Sequence, residues 1–206
     1  MKLRLPLPDE ANHRHANAVL GQPGIEATWK ELIRVLEGIS DQDLAECHET
    51  MFTSTMSLSR AYNYMIKIRL EEVGWKAEPI LTDSKYSKDK AFRLDFAKDE
   101  VAVEVSFNHG EALAWNLIKL TMAAEINHIE KEYTSKLGVI ILATDELKKA
   151  GCFDNACGEW EKAIRYLEPM QNKLTVPIAL LGIEKPSFNL VDNGKGAKPR
   201  SSVIWH

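Results

Sequence analysis

Between residues 92 and 107 the apolar side chains stop recurring every three or four positions and begin to alternate. Phe92, Leu94 and Phe96 alternate with Ala91, Arg93 and Asp95; beyond Ala97-Lys98-Asp99, Val101, Val103, Val105 and Phe107 alternate with Ala102, Glu104 and Ser106. A period of two belongs to strands with one apolar face, and two such runs flanking a short polar break predict a β-hairpin, although Lys-Asp is a weaker turn signal than Asn-Gly. This constrains the rest of the chain, because the valine face must be covered by apolar surface from other elements.

Those elements are legible on both sides. Ile25, Trp29, Leu32, Ile33, Leu36 and Ile39 recur at helical spacing, with Gly38 and Ser40-Asp41 closing the helix. Residues 40–57 are polar and acidic without a clear period. A second helix is expected over Ser59–Val73, stopped by Gly74, and a short strand over Pro79–Thr82. After Asn108-His109-Gly110 a long helix is expected from Glu111 to Glu130, with Leu113, Leu117, Leu120 and Ile126 inward. Leu137–Leu142 and Val176–Ile183 are continuous apolar runs, as in strands covered on both faces, with a helix over Gly158–Leu167 between them. Residues 186–206 read as an irregular arm. The fold class expected is α/β, a mixed five-stranded sheet flanked by helices. No linker or repeat divides residues 1–206, so one domain is expected, with its core over about residues 59–184.

Composition narrows the class. The chain is 45% hydrophobic and 27% charged, which suits an ordinary globular domain. No apolar run reaches membrane-spanning length, and the start lacks a signal-peptide core, so no membrane partner is expected. Cys47, Cys152 and Cys157 form no CxxC pair, which argues against a zinc site and fits a reducing cytoplasm. A net charge of −4 argues on its face against nucleic acid. The distribution is more permissive: residues 9–59 carry nine acidic and three basic side chains, residues 60–98 nine basic and six acidic. Phosphate binding needs a local positive surface, not a positive total.

The hairpin also carries chemistry. Glu104 and Ser106 point away from the valines, and Asp95 lies on the non-apolar face of the partner strand near residues 102–104. Two carboxylates brought together need a cation between them, and oxygen ligands suit a hard one such as Mg²⁺. The competing reading is a pair of solvent-facing charges on a half-exposed hairpin.

The stretch Leu94-Asp-Phe-Ala-Lys-Asp-Glu-Val-Ala-Val-Glu-Val-Ser-Phe107 resembles the active-site hairpin of type II restriction endonucleases of the BglII, BstYI and BamHI branch, members of the PD-(D/E)xK superfamily. In the first two an aspartate is followed nine residues later by the glutamate of a Glu-Val-Gln triplet. The segments around His15–Leu20, Trp29–Ile33, Gly74–Lys76, Gly138–Leu142 and Val176–Ile183 are similar in order and spacing, so the resemblance spans roughly residues 13–184. It implies a Mg²⁺-dependent endonuclease in which Asp95, Glu104 and the Val105 carbonyl hold the metal. From the BamHI side it implies a third carboxylate, Glu78, three residues after Trp75; the competing reading of Glu78 is a surface glutamate. Ser106 departs from the family, which places Lys, Glu or Gln there. A serine hydroxyl is short and uncharged at neutral pH. It orients the water, or a longer side chain such as Lys119 on the following helix reaches in, or this chain binds DNA without cutting it.

The same resemblance implies base contacts from the loop at Asn108 and His109 and from the loop Cys152–Gly158, where Asp154 and Asn155 have the functional groups to read cytosine and adenine. Taken without the resemblance, Asp154 or Asn155 would suit a helix N-cap. Also implied are double-stranded DNA with a GATC core as substrate and a homodimer on palindromic DNA, built partly by the 111–130 helix. The stretch Asn193–Arg200 reads either as a basic arm on phosphates or as a solvated end.

Overall fold

The computed structural model describes residues 1–6, 11–81, 90–107, 110–125 and 133–206. Its centre is a mixed sheet of seven strands in the order β1-β7-β6-β5-β4-β3, with β2 also on β7. The strands are β1 (Leu3–Arg4), β2 (Asn12–His13), β3 (Lys76–Ala77), β4 (Phe96–Lys98), β5 (Val101–Ser106), β6 (Leu137–Ala143) and β7 (Ile178–Ile183). β5, β6 and β7 run parallel and the others pair antiparallel. The α/β class is as read from the sequence, but the sheet has seven strands where five were expected. The additional β1, β2 and β3 are two residues each, too short to show a period. Of the expected strand at 79–82, the described residues 79–81 carry a bridge between Ile80 and Arg93, and Thr82 lies outside the described residues.

Helices cover both faces. On one side lie α1 (Ala16–Leu20), α2 (Glu26–Glu37), α3 (Asp41–Met51), α4 (Ser59–Glu72) and α6 (Asp145–Ala150); on the other lie α5 (Gly110–Glu125) and α7 (Trp160–Met170). Val101, Val103, Val105 and Phe107 join the first core with Leu32, Leu36, Ile66 and Leu70. Ala102 faces the second, beneath Leu113, Leu117 and Leu120. Small residues there let α5 lie close: a Cβ added at Gly138 would meet the Leu120 side chain at 3.0 Å.

Two segments depart from expectation. Residues 41–51 form α3 where no period was legible. Ser40 does not close the preceding helix; it caps this one, accepting from Asp43 N while the Asp43 side chain accepts from Ser40 N. The C-terminal arm is not irregular. β8 (Phe188–Asp192) and β9 (Ser201–Trp205) form a separate antiparallel hairpin, with the Phe188 and Trp205 rings 5.1 Å apart. It is docked through Arg200 N to Thr53 O at 2.7 Å and through a buried His48 Nε2–Ser201 Oγ hydrogen bond of 2.9 Å. The basic stretch 193–200 is the loop of this hairpin, and Arg200 is ion-paired with Asp192.

Candidate active site

The β4–β5 register determines where the carboxylates meet. Lys98 pairs with Val101 and Phe96 with Val103, so the turn is Asp99-Glu100, one residue beyond the expected position. Asp99 takes the left-handed conformation that a two-residue turn demands, at φ 49°. Continuing the register one step places Asp95 opposite Glu104, on the face turned towards α5. Asp95 Oδ2 accepts from Val105 N at 2.7 Å, and its carbonyl accepts from Glu78 N at 3.0 Å.

Neither acid is a solvated surface charge. Glu104 is 1% exposed and every residue of β5 is buried. Burial, followed by the neighbouring Asp95 charge, pushes the Glu104 carboxyl well above the ordinary carboxylate range, with Lys119 opposing the shift. Burial likewise raises Asp95, against the lowering effects of the Val105 N–H and Lys119. Two acids held in this way and facing one another form an electrostatically costly arrangement, which a bound cation relieves.

The cation present is Lys119. Its ammonium lies 2.6 Å from Glu104 Oε2 and 3.0 Å from the Arg93 carbonyl, with the side chain 9% exposed. Helical spacing explains its position: Leu113, Leu117 and Leu120 anchor α5 on the sheet, and Asn116 and Lys119 lie one turn apart over the carboxylates. All these groups open into a cavity of about 280 Å³, lined also by Asn63 and Lys67 of α4 and by Glu78 and Val105. A larger open depression of about 780 Å³ around Asn12, Arg14 and Gln171 has no carboxylate among the described residues of its lining.

The other expected site residues divide. Glu78 reaches the cavity but is half-exposed, 3.8 Å from an Arg93 nitrogen, and among the described residues no cluster of three metal-ligating side chains forms. Ser106 is 0% exposed and its hydroxyl makes no hydrogen bond with a described residue, so it sits beneath the cavity and not in it. Asn108 and His109 lie outside the described residues. Asp154 and Asn155 are exposed, and they do not cap α7: Glu159 precedes that helix, while Asp154 Oδ1 accepts from Ala156 N within its own loop. That loop lies beyond the end of β5. Gly110 N donates to Ala156 O, Cys157 Sγ donates to Phe107 O at 3.5 Å, and Phe153 packs on Phe107 at 5.6 Å. The sequence raised Lys119 only as one alternative and missed Asn116. The signal for both was their spacing from the leucines that anchor α5.

A divalent cation fits the donor set. Glu104 is buried and Asp95 faces it across the cavity, with Val105 next to Glu104 in sequence and also in the lining. Oxygen donors without thiol or imidazole suit a hard ion.

Comparison with known proteins bears on the fold and the family. Over its full length the chain superposes on the full chain of BglII in the crystal structure of restriction endonuclease BglII complexed with a DNA 16-mer, at TM-score 0.68 and 18% identity. Free BglII matches over the same full coverage at TM-score 0.58 and 17% identity. No curated protein sequence matches. The family model described as restriction endonuclease BglII/BglIII matches residues 9–183. The chain therefore belongs to the BglII/BglIII family of restriction endonucleases and is a type II site-specific deoxyribonuclease.

Proposed function

We propose that this endonuclease hydrolyses a DNA phosphodiester with Mg²⁺ held by Asp95, Glu104 and the Val105 carbonyl, at a palindromic site with a GATC core. The observation that carries the reading is the half-buried Asp95 opposed to the buried Glu104, both opening into a cavity beside an ammonium group. When bound, the metal supplies charge stabilisation at the scissile phosphate and acidifies water. The chain's own residues do the rest. The Val105 N–H fixes one Asp95 oxygen, which leaves the other free to face the ion. Ala77, Phe96 and Val105 are the apolar part of the lining and restrict water there. Asn63 and Lys67 line the open side, where a phosphate would enter. Glu78 acts from the rim and not as a first ligand.

The protein acts as a homodimer, supported by Trp115 and Ile118 on α5, which are 37% and 39% exposed and large for free surface. Asp154 and Asn155 contact bases from the loop beyond β5, with Asn108 and His109 as the adjoining segment. The three free thiols suit a cytoplasmic setting. No described helix is long and apolar enough to cross a membrane.

Digestion of unmethylated plasmid with Mg²⁺ or EDTA, followed by end sequencing, tests the reading. Discrete Mg²⁺-dependent fragments ending at one GATC-containing palindrome are expected, and Asp95→Asn abolishes them. Specific retention of that duplex without cleavage under Mg²⁺ or Mn²⁺ would instead make the chain a binding protein on a nuclease fold.

A further inference from the structure

We propose that Lys119 is the resting occupant of the metal site: its ammonium neutralises Glu104 until a divalent cation displaces it, and it then serves beside the attacking water as the positive group that position 106 lacks. The inference rests on reading Asp95 and Glu104 as metal ligands.

Three observations converge. First, Ser106 is fully buried and absent from the cavity lining, so it touches neither water nor phosphate there. A residue in the place where the family carries a long polar side chain has become part of the packing between β5 and its covering helices. Second, Lys119 enters the same cavity from the helix, and its ammonium lies 2.6 Å from Glu104 Oε2. A hard divalent ion binds carboxylate oxygen at about 2.0–2.1 Å, so ammonium and ion compete for one carboxylate. Third, the ammonium has a second anchor, the Arg93 carbonyl at 3.0 Å. Released from Glu104, it therefore stays at the cavity wall instead of swinging into solvent.

The exchange accounts for two requirements at once. Without metal, an unpaired buried Glu104 opposite Asp95 would strain the β4–β5 pair, and Lys119 offsets that charge. With metal, the displaced ammonium donates to the attacking water and offsets the negative charge its oxygen gains. In that step the water oxygen bonds to phosphorus and the phosphorus–oxygen bond to the leaving sugar breaks. One water proton passes to solvent, and the leaving oxygen takes a proton from solvent.

The test compares wild type, Lys119→Met and Lys119→Arg in three assays. Calorimetric titration of the DNA-free protein with Mg²⁺ should show Lys119→Met binding roughly tenfold more tightly, because a competing unit charge within a few ångströms has gone. The same variant should cleave at least about a hundredfold more slowly, the scale of losing one preorganised charge donor. Lys119→Arg keeps the charge and should retain wild-type Mg²⁺ affinity with part of the activity. Its circular dichroism and binding data stand in if the methionine variant does not fold. Tighter metal binding joined to slower cutting is the signature, since a merely structural lysine would weaken both on removal. Weaker or unchanged Mg²⁺ binding in Lys119→Met, or undiminished cutting, overturns the proposal. Wild type and Asp95→Asn titrated side by side separate the two levels: if neither binds Mg²⁺, the metal-site reading itself fails.

Discussion

Replacing Asp95 by Asn should stabilise the metal-free protein. The β4–β5 register puts Asp95 opposite Glu104, and facing residues of an antiparallel pair have Cβ atoms about 4.5–5.5 Å apart. Two unit charges about 5 Å apart at an effective dielectric near 20 repel by about 3 kcal/mol. The Lys119 ammonium beside Glu104 offsets part of this, leaving a net cost on the order of 1–2 kcal/mol. Asparagine keeps an oxygen to accept from Val105 N, so the change removes charge with little loss of geometry. In EDTA at pH 8, Asp95→Asn should melt roughly 2–8 °C higher than wild type, taking about 2–4 °C per kcal/mol for a chain of this size.

Saturating Mg²⁺ should reverse the order. An ion at a hundred times its dissociation constant stabilises wild type by about 2.7 kcal/mol and does not bind the variant. The pH dependence has a definite sign. Burial raises the folded-state pKa of Asp95, so the cost is fully present above that pKa. It disappears as pH falls through it towards the unfolded value near about 3.9. The advantage of the variant should therefore be largest at alkaline pH and shrink on acidification. Differential scanning calorimetry across pH, with and without Mg²⁺, reads all three effects. An Asp95→Asn protein less stable than wild type in EDTA at pH 8, or an order unmoved by Mg²⁺, would refute the reasoning.

Three further outcomes follow from other parts of the fold. Ser40→Ala removes the capping box of α3 and should lower the urea midpoint by the equivalent of about 1 kcal/mol with an unchanged slope. His48 is held neutral by burial at the base of the C-terminal hairpin; stability should fall as pH drops below about 6.5 towards its lower folded-state pKa. His48→Gln should reduce that slope in urea titrations between pH 5 and 7.5; His13, which burial shifts in the same direction, adds to it. Ile118→Lys on the exposed face of α5 should convert a dimer to monomer in sedimentation velocity with the melting temperature nearly unchanged.

How much of this was legible in the sequence depended on the range of the interactions involved. The hairpin was legible because alternation is a local consequence of pleating, and the valine and carboxylate faces followed from it. Its turn was displaced by one residue, since no Asn-Gly marked it. α3 was hidden because Ser40 was read as an ending, although the Ser40–Asp43 spacing was itself a start signal. The Phe188–Asp192 and Ser201–Trp205 strands escaped because a Gly- and Lys-rich loop separates them and their partners lie in the distant segment around Thr53 and His48. Asp95 and Glu104 could be paired from spacing alone. Lys119 could be placed on the helix, but whether that helix turned it into the cavity depended on how Leu113, Leu117 and Leu120 seat on the sheet, a tertiary property. The depth of Ser106 was likewise invisible until α5 was in place.

The turn at Asp99-Glu100 is fastened from both sides: Thr28 Oγ1 donates to Asp99 Oδ2 at 2.6 Å, and Lys136 N donates to Glu100 O at 2.8 Å. At about 3.3 Å of rise per residue it lies roughly 13 Å from Asp95, yet it sets which residue stands opposite Glu104. Adding or deleting one residue there would turn Asp95 onto the valine side. Exchanging the letters of the turn for others that accept the same backbone would leave the alignment intact. What descent must preserve here is a count, the nine-residue separation of two acids. A lineage can therefore drift far in composition around this centre while remaining intolerant of a single-codon insertion in a surface turn.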